Sequence, residues 1–131
     1  MMRAELRRKI LVVEDEEKLA RLLEQELTSA GYDVHVELRG QAALQHAAER
    51  QPDLVILDLR LPDLSGYQVC KELRRLYSSW AVPVLMLTAM DMPIDQLRGF
   101  ATGADAYMVK PFEFQDLLET VALLLGHGAP A

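Results

Sequence analysis

The residues best equipped for chemistry stand just after short apolar runs. Glu14 and Asp15 follow ILVV at 10–13, Asp58 follows LVIL at 54–57, Thr88-Ala89 follows VLML at 84–87, and Lys110-Pro111 follows the weaker YMV at 107–109. In open parallel sheets ligands bind beyond the carboxyl ends of the strands. If these runs are strands and the first and third are neighbours, three carboxylates therefore converge on one small patch. Two like charges about 4 Å apart repel by roughly 4 kcal/mol at an effective dielectric near 20. Either one carboxyl keeps its proton through a raised pKa, or a hard divalent cation sits among the oxygens, with Lys110 adding positive charge. Mg²⁺ commonly takes one or two carboxylates, water and phosphate oxygens, so such a patch suits phosphoryl chemistry.

The elements that must position these residues alternate along the chain. The four apolar runs read as strands buried on both faces, and Asp33 to Glu37, alternating polar and apolar after Gly31, reads as an edge strand. Between them the spacing turns helical. Leu19, Leu22, Leu23, Leu27 and Ala30 form a core-facing stripe opposite Glu17, Arg21 and Glu24, and Gly31 supplies the stop. Leu44, Ala47 and Ala48 mark a second helix that ends before Pro52. A third starts at Ser65 as N-cap and carries Val69, Leu73 and Leu76. The fourth has Pro93 in its first turn, contains Leu97 and Phe100, and ends near Gly103; Leu117, Leu118, Val121, Leu124 and Leu125 define the last. Such alternation calls for right-handed crossovers and a parallel sheet covered on both faces, an α/β fold. The expected organisation is one domain over 1–125, with 126–131 as a flexible tail or truncated linker.

Composition narrows the classes. With 131 residues, half of them hydrophobic, the chain can bury a core without disulfide or metal staples. A net charge of −6 argues against sequence-independent nucleic-acid binding, which needs Lys and Arg to neutralise phosphates. The basic cluster Arg3, Arg7, Arg8 and Lys9 reads as a solvated lead-in to the first strand. Cys70 is alone, so it cannot form an intramolecular disulfide, which fits a reducing compartment. Glu14 cuts the run after the basic residues far short of a secretory core, and no run approaches the roughly 18 apolar residues of a membrane helix.

The segments LVVEDE, LVILDLRLPDLSG, LMLTA and GADAYMVKPF, in this order and spacing, resemble the receiver domain of two-component response regulators, a CheY-like fold. GADAY and KPF stand closest to the OmpR/PhoB-type branch. The resemblance implies a flavodoxin-like five-stranded parallel sheet of order 2-1-3-4-5 with five helices on both faces. It makes Asp58 the phospho-acceptor, attacking a phosphohistidine of a sensor histidine kinase or phosphotransfer protein. Glu14, Asp15, Asp58 and the main-chain carbonyl of Arg60 would hold Mg²⁺, while Thr88 and Lys110 would meet the phosphoryl oxygens. Tyr107 matches the family's switch aromatic, with an ordinary amphipathic strand tyrosine as the alternative; for Asp15 the alternative is helix capping. Family members typically have a cis peptide at the bond matching Lys110-Pro111. The implied module is cytoplasmic, catalyses only its own phosphorylation and dephosphorylation, and touches neither nucleic acid nor membrane.

The chain also departs from the pattern. Glu14 stands where many relatives have a second Asp, though its longer side chain can ligate directly or through water. Ala106 replaces a common acidic residue, and Thr120 and Ala122 stand where last-helix arginines are frequent, so the branch's salt-bridged dimer is not expected. Instead the apolar Leu117–Leu125 segment, with Met90, Met92 and Ile94, reads either as extra core packing or as a hydrophobic surface for a second copy or an effector along the fourth helix, fifth strand and fifth helix. Arg60 and Met90, two residues beyond Asp58 and Thr88, occupy positions that in receivers influence phosphoryl lifetime. A phosphate-independent pseudo-receiver is the main rival. A haloacid-dehalogenase-like phosphatase would need an aspartate at Arg60, and a flavodoxin-like cofactor carrier would need a Gly- or Ser/Thr-rich phosphate loop after the first strand.

Overall fold

The computed structural model describes residues 7–76 and 82–126; Arg3 of the basic lead-in and tail residues 127–131 lie outside the described residues. Strands β1 (Lys9–Val13), β2 (Asp33–Glu37), β3 (Leu54–Leu57), β4 (Val84–Thr88) and β5 (Ala106–Val109) alternate with helices α1 (Glu17–Ser29), α2 (Gly40–Arg50), α3 (Gly66–Leu76), α4 (Pro93–Ala101) and α5 (Phe114–Leu124). All strand pairs are parallel, in the order β2-β1-β3-β4-β5, as the resemblance implies.

Strand side chains alternate between the two sheet faces, so each central strand feeds two cores. Leu11, Val13, Val55, Leu57, Val84 and Met86 point to one face, where Ala43 and Ala47 of α2 and Val69, Cys70 and Leu73 of α3 cover them. Ile10, Val12, Leu54, Ile56, Leu85 and Leu87 point to the other, against Leu23 and Leu27 of α1 and Leu117 and Val121 of α5. Burying each large aliphatic side chain contributes roughly 1.5–3 kcal/mol, and this double use explains why the runs are unbroken apolar rather than alternating.

Local signals mostly act as read. Ser65 caps α3 reciprocally: its Oγ accepts the Gln68 N–H at 3.2 Å, and its own N–H donates to Gln68 Oε1 at 2.9 Å. Gly31 ends α1 at φ +102° and Gly103 follows α4 at φ +108°, conformations that side chains rarely adopt. Four stripe residues depart from expectation. Leu22 is 44% exposed, and Ala30 and Ala48 are exposed too, because α1 and α2 each bury a narrower stripe completed by Ala20 and Ala43; Leu76, the last residue of α3, is 47% exposed. Helix α4 barely enters the core. Its buried residue is Gly99, where a Cβ would come within 2.9 Å of Met86 Sδ and 3.1 Å of the Tyr107 ring.

Candidate functional site

Register builds the site. Val13 pairs with Leu57, and the Asp58 N–H donates to the Val13 carbonyl at 3.0 Å, so Glu14 and Asp58 leave neighbouring strands side by side. Thr88 pairs with Val109, and the Lys110 N–H donates to the Thr88 carbonyl at 2.8 Å, which carries Lys110 to the same sheet edge. The Lys110-Pro111 bond is cis.

The four charged groups then meet. Lys110 Nζ donates to Glu14 Oε1 at 2.8 Å and to Asp58 Oδ2 at 3.1 Å. Glu14 is 2% exposed and Asp58 6%, whereas Asp15 opens to solvent. One carboxylate oxygen from each of Glu14, Asp15 and Asp58 lies within 4.8 Å of the others. Helix α1 is capped by neither Asp15 nor any other side chain: its N-cap residue is Glu16, and the Glu16 N–H donates to Glu14 Oε2 at 3.0 Å. Burial, reinforced by the negative charge of Asp58, pushes the Glu14 carboxyl up to about 7 against the opposing Lys110 and Glu16 hydrogen bonds. Burial works against the Lys110 ammonium, yet its bond to Glu14 and the charge of Asp58 hold it above the usual lysine range.

Three carboxylates facing one ammonium leave excess negative charge in a largely buried, all-oxygen pocket. That donor set fits a hard divalent cation such as Mg²⁺. Arg60 is exposed; its N–H donates to Asp58 Oδ1 at 3.2 Å, fixing the Asp58 carboxylate from the loop after β3.

Thr88 is fully buried, and its Oγ accepts the Met90 N–H at 3.3 Å; among the described residues its own proton has no acceptor. The Met90 carbonyl in turn accepts the Tyr107 hydroxyl at 2.7 Å, so Thr88 and Tyr107 are joined through one residue of the β4–α4 loop. Burial and the neighbouring Tyr67 push the half-buried Tyr107 phenol up to about 12, leaving it a neutral donor.

Two supports escaped the sequence reading. Gly66 backs Asp58: a Cβ there would lie 2.5 Å from the Asp58 carbonyl oxygen and 2.7 Å from Leu59 Cα. Asp63 caps α2 from a distant loop, accepting the Gly40 and Gln41 N–H groups at 2.8 and 2.9 Å. The Ser-Gly pair after Asp63-Leu64 was the available signal for Gly66. For Asp63 there was none, because its partners lie 22 and 23 positions away.

Comparison with known proteins agrees with this geometry. The family model described as response regulator receiver domain matches residues 10–122. The chain is 44% identical over 122 residues to the phosphate regulon transcriptional regulatory protein PhoB of Rhizobium meliloti, covering 93% of this chain and 54% of that protein. It is 43% identical over 120 residues to the alkaline phosphatase synthesis transcriptional regulatory protein PhoP of Bacillus subtilis, covering 92% and 49%. The chain thus spans about half the length of these curated relatives. Among solved structures, the receiver domain of a sensor histidine kinase from Pseudomonas aeruginosa, with a magnesium ion coordinated in its active site cleft, superposes with a TM-score of 0.84 at 31% identity, covering 92% of this chain and 98% of that one. By family match, relatives and fold, this chain belongs to the response regulator receiver domain family of two-component signal transduction systems.

Proposed function

We propose that Asp58 accepts a phosphoryl group from the phosphohistidine of a sensor kinase or phosphotransfer protein, in the cytoplasm, and that the chain catalyses only this transfer and its own dephosphorylation. The supporting observation is the placement of Asp58: a nearly buried carboxylate beside an ammonium and two further carboxylates at one sheet edge. An Asp58 oxygen attacks phosphorus, the phosphorus–nitrogen bond breaks, and the imidazole leaves with its electron pair. Lys110, already 3.1 Å from Asp58, neutralises charge on the equatorial oxygens, and the free proton of the Thr88 hydroxyl is given to another. Glu14, Asp15, Asp58 and the Arg60 carbonyl would hold Mg²⁺, which when bound neutralises the excess charge that otherwise repels an incoming phosphate. Thr88 drawn toward the phosphoryl group disturbs its bond to Met90, and through Met90 the bond to Tyr107, biasing two arrangements of α4 and β5.

The output surface is the apolar face of α4 and α5, where a second copy or an effector reads that difference. Met92, Ile94 and Leu97 are 59%, 67% and 65% exposed, and Leu123 is 70% exposed, whereas Leu118 and Leu124 pack on the core. Incubation with acetyl phosphate followed by intact mass tests the acceptor. Wild type should gain one phosphoryl group only with Mg²⁺, and Asp58→Asn none. A folded wild type that binds Mg²⁺ yet gains nothing would instead indicate a phosphate-independent pseudo-receiver.

A further inference from the structure

A second cluster of ligating side chains shares no side chain with the acidic pocket, although the Glu37 carbonyl accepts the Glu14 N–H at 3.1 Å, and phosphoryl chemistry makes no use of it. It arises from strand alternation at the sheet edge. Val34 and Val36 pack against the core beneath α1 and α5, so His35 and Glu37, two residues apart, project from the opposite face of β2. Helix α2 covers that face. It turns Ala43 and Ala47 inward, and His46, next to Ala47, meets the strand edge.

The three side chains converge closely. The imidazoles of His35 and His46 stack with centroids 3.7 Å apart and an interplanar angle of 0°, and His35 Nε2 is 2.6 Å from Glu37 Oε2. One ligand atom from each of His35, Glu37 and His46 lies within 4.8 Å of the other two. His35 is exposed and the other two are partly buried; the two histidines line a groove of about 440 Å³ together with Lys9, Asp33, Glu49 and Arg50. Water can therefore enter to complete a coordination shell.

We propose that His35, Glu37 and His46 bind one borderline divalent transition-metal ion of zinc's class, with water as the remaining ligand. Two imidazole nitrogens and one carboxylate oxygen are a familiar three-ligand set for Zn²⁺, which takes nitrogen at about 2.0–2.1 Å. Because the stacked imidazoles lie in parallel planes, reaching one ion requires the rings to turn out of the stack and the His35–Glu37 contact to open, a movement the exposed position of His35 at the sheet edge permits. The set also differs in kind from the acidic pocket. Imidazole favours zinc, copper and nickel, whereas Mg²⁺ favours oxygen alone, so the two sites select different ions.

Calorimetric titration of the full chain with zinc chloride, in excess Mg²⁺ to occupy the acidic pocket, tests the proposal. Wild type should take up one equivalent saturably. His35→Ala and His46→Ala should each weaken binding at least tenfold and Glu37→Gln severalfold, with unchanged circular dichroism of the metal-free proteins. His127→Ala, which removes the remaining histidine of the chain, should bind as wild type does. Should His46→Ala fail to fold, His46→Gln substitutes for it. No saturable uptake in excess Mg²⁺, affinity indifferent to both His35 and His46, or affinity lost with His127 would overturn the proposal.

Discussion

Lys110 balances the acidic pocket: its ammonium is the counter-charge to both Glu14 and Asp58, at 2.8 and 3.1 Å. Removing it leaves two nearly buried carboxylates without the cation that pairs with both, and on the proposed function takes away a preorganised donor to the phosphoryl oxygens. Lys110→Ala is therefore expected to slow phosphorylation by acetyl phosphate on the order of a hundredfold. Its melting temperature should fall more in a chelator than in excess Mg²⁺, because the cation takes over part of the neutralising role. Equal losses in both conditions would show that Lys110 contributes packing and not charge balance. Glu14, Asp15, Asp58, Thr88 and Lys110 were legible as a group because each stands within two residues of the end of an apolar run, and parallel strands deliver their carboxyl ends to one edge. The raised Glu14 carboxyl could be foreseen only as one of two remedies for crowding, since its burial depends on the neighbours packed around it.

The elements hold the site by contacts of two ranges. Gly66 lets α3 approach the back of Asp58, and the atoms a new Cβ would meet at 2.5 and 2.7 Å are backbone and cannot rotate away. Gly66→Ala should cost about 1–3 kcal/mol in urea unfolding and slow phosphorylation as Asp58 shifts; wild-type stability would contradict this close approach. Asp63 acts at longer range. Its carboxyl is held below 3.8 chiefly by the Gln41 N–H, against slight burial, with Gly40 also donating. A depressed folded pKa gives stability that is present above 3.8 and disappears as pH falls through the lower folded value. Asp63→Asn should thus destabilise the protein at neutral pH and narrow the gap to wild type in strong acid, as read from thermal unfolding across pH. A constant gap would deny the cap its charge. Such long-range pieces mark where sequence reading stopped. Ser65 as cap and Gly31 as stop are local and were legible, whereas the Asp63 cap depends on the fold bringing two loops together. The exposed Leu22 belongs with them: its spacing fits a core stripe, but Ala20 takes the space against the sheet.

At the scale of the whole molecule, two cores lock α1, α2, α3 and α5 onto the sheet while α4 buries Gly99 and is otherwise held through Tyr67, which donates to the Asp95 carbonyl at 3.1 Å and lies under Arg98, so the segment least buried in the core is the one linked to Thr88 and Tyr107. This arrangement favours a response confined to the α4–β5–α5 side. Leu123, 70% exposed, lies on that side without a core role, so Leu123→Glu should leave unfolding unchanged while weakening phosphorylation-dependent self-association or effector capture. Unaltered association, measured by analytical ultracentrifugation and effector binding, would remove α5 from the contact surface. Among the described residues no helix is long and apolar enough to cross a membrane. The functional expectations depend on which carboxylate carries the phosphoryl group. Borohydride reduction of the phosphorylated chain converts an aspartyl phosphate to homoserine, and peptide mass spectrometry then locates it. The account predicts homoserine at position 58 alone, formed only when Mg²⁺ is present during phosphorylation; homoserine at another aspartate, or formed equally without the cation, would contradict it.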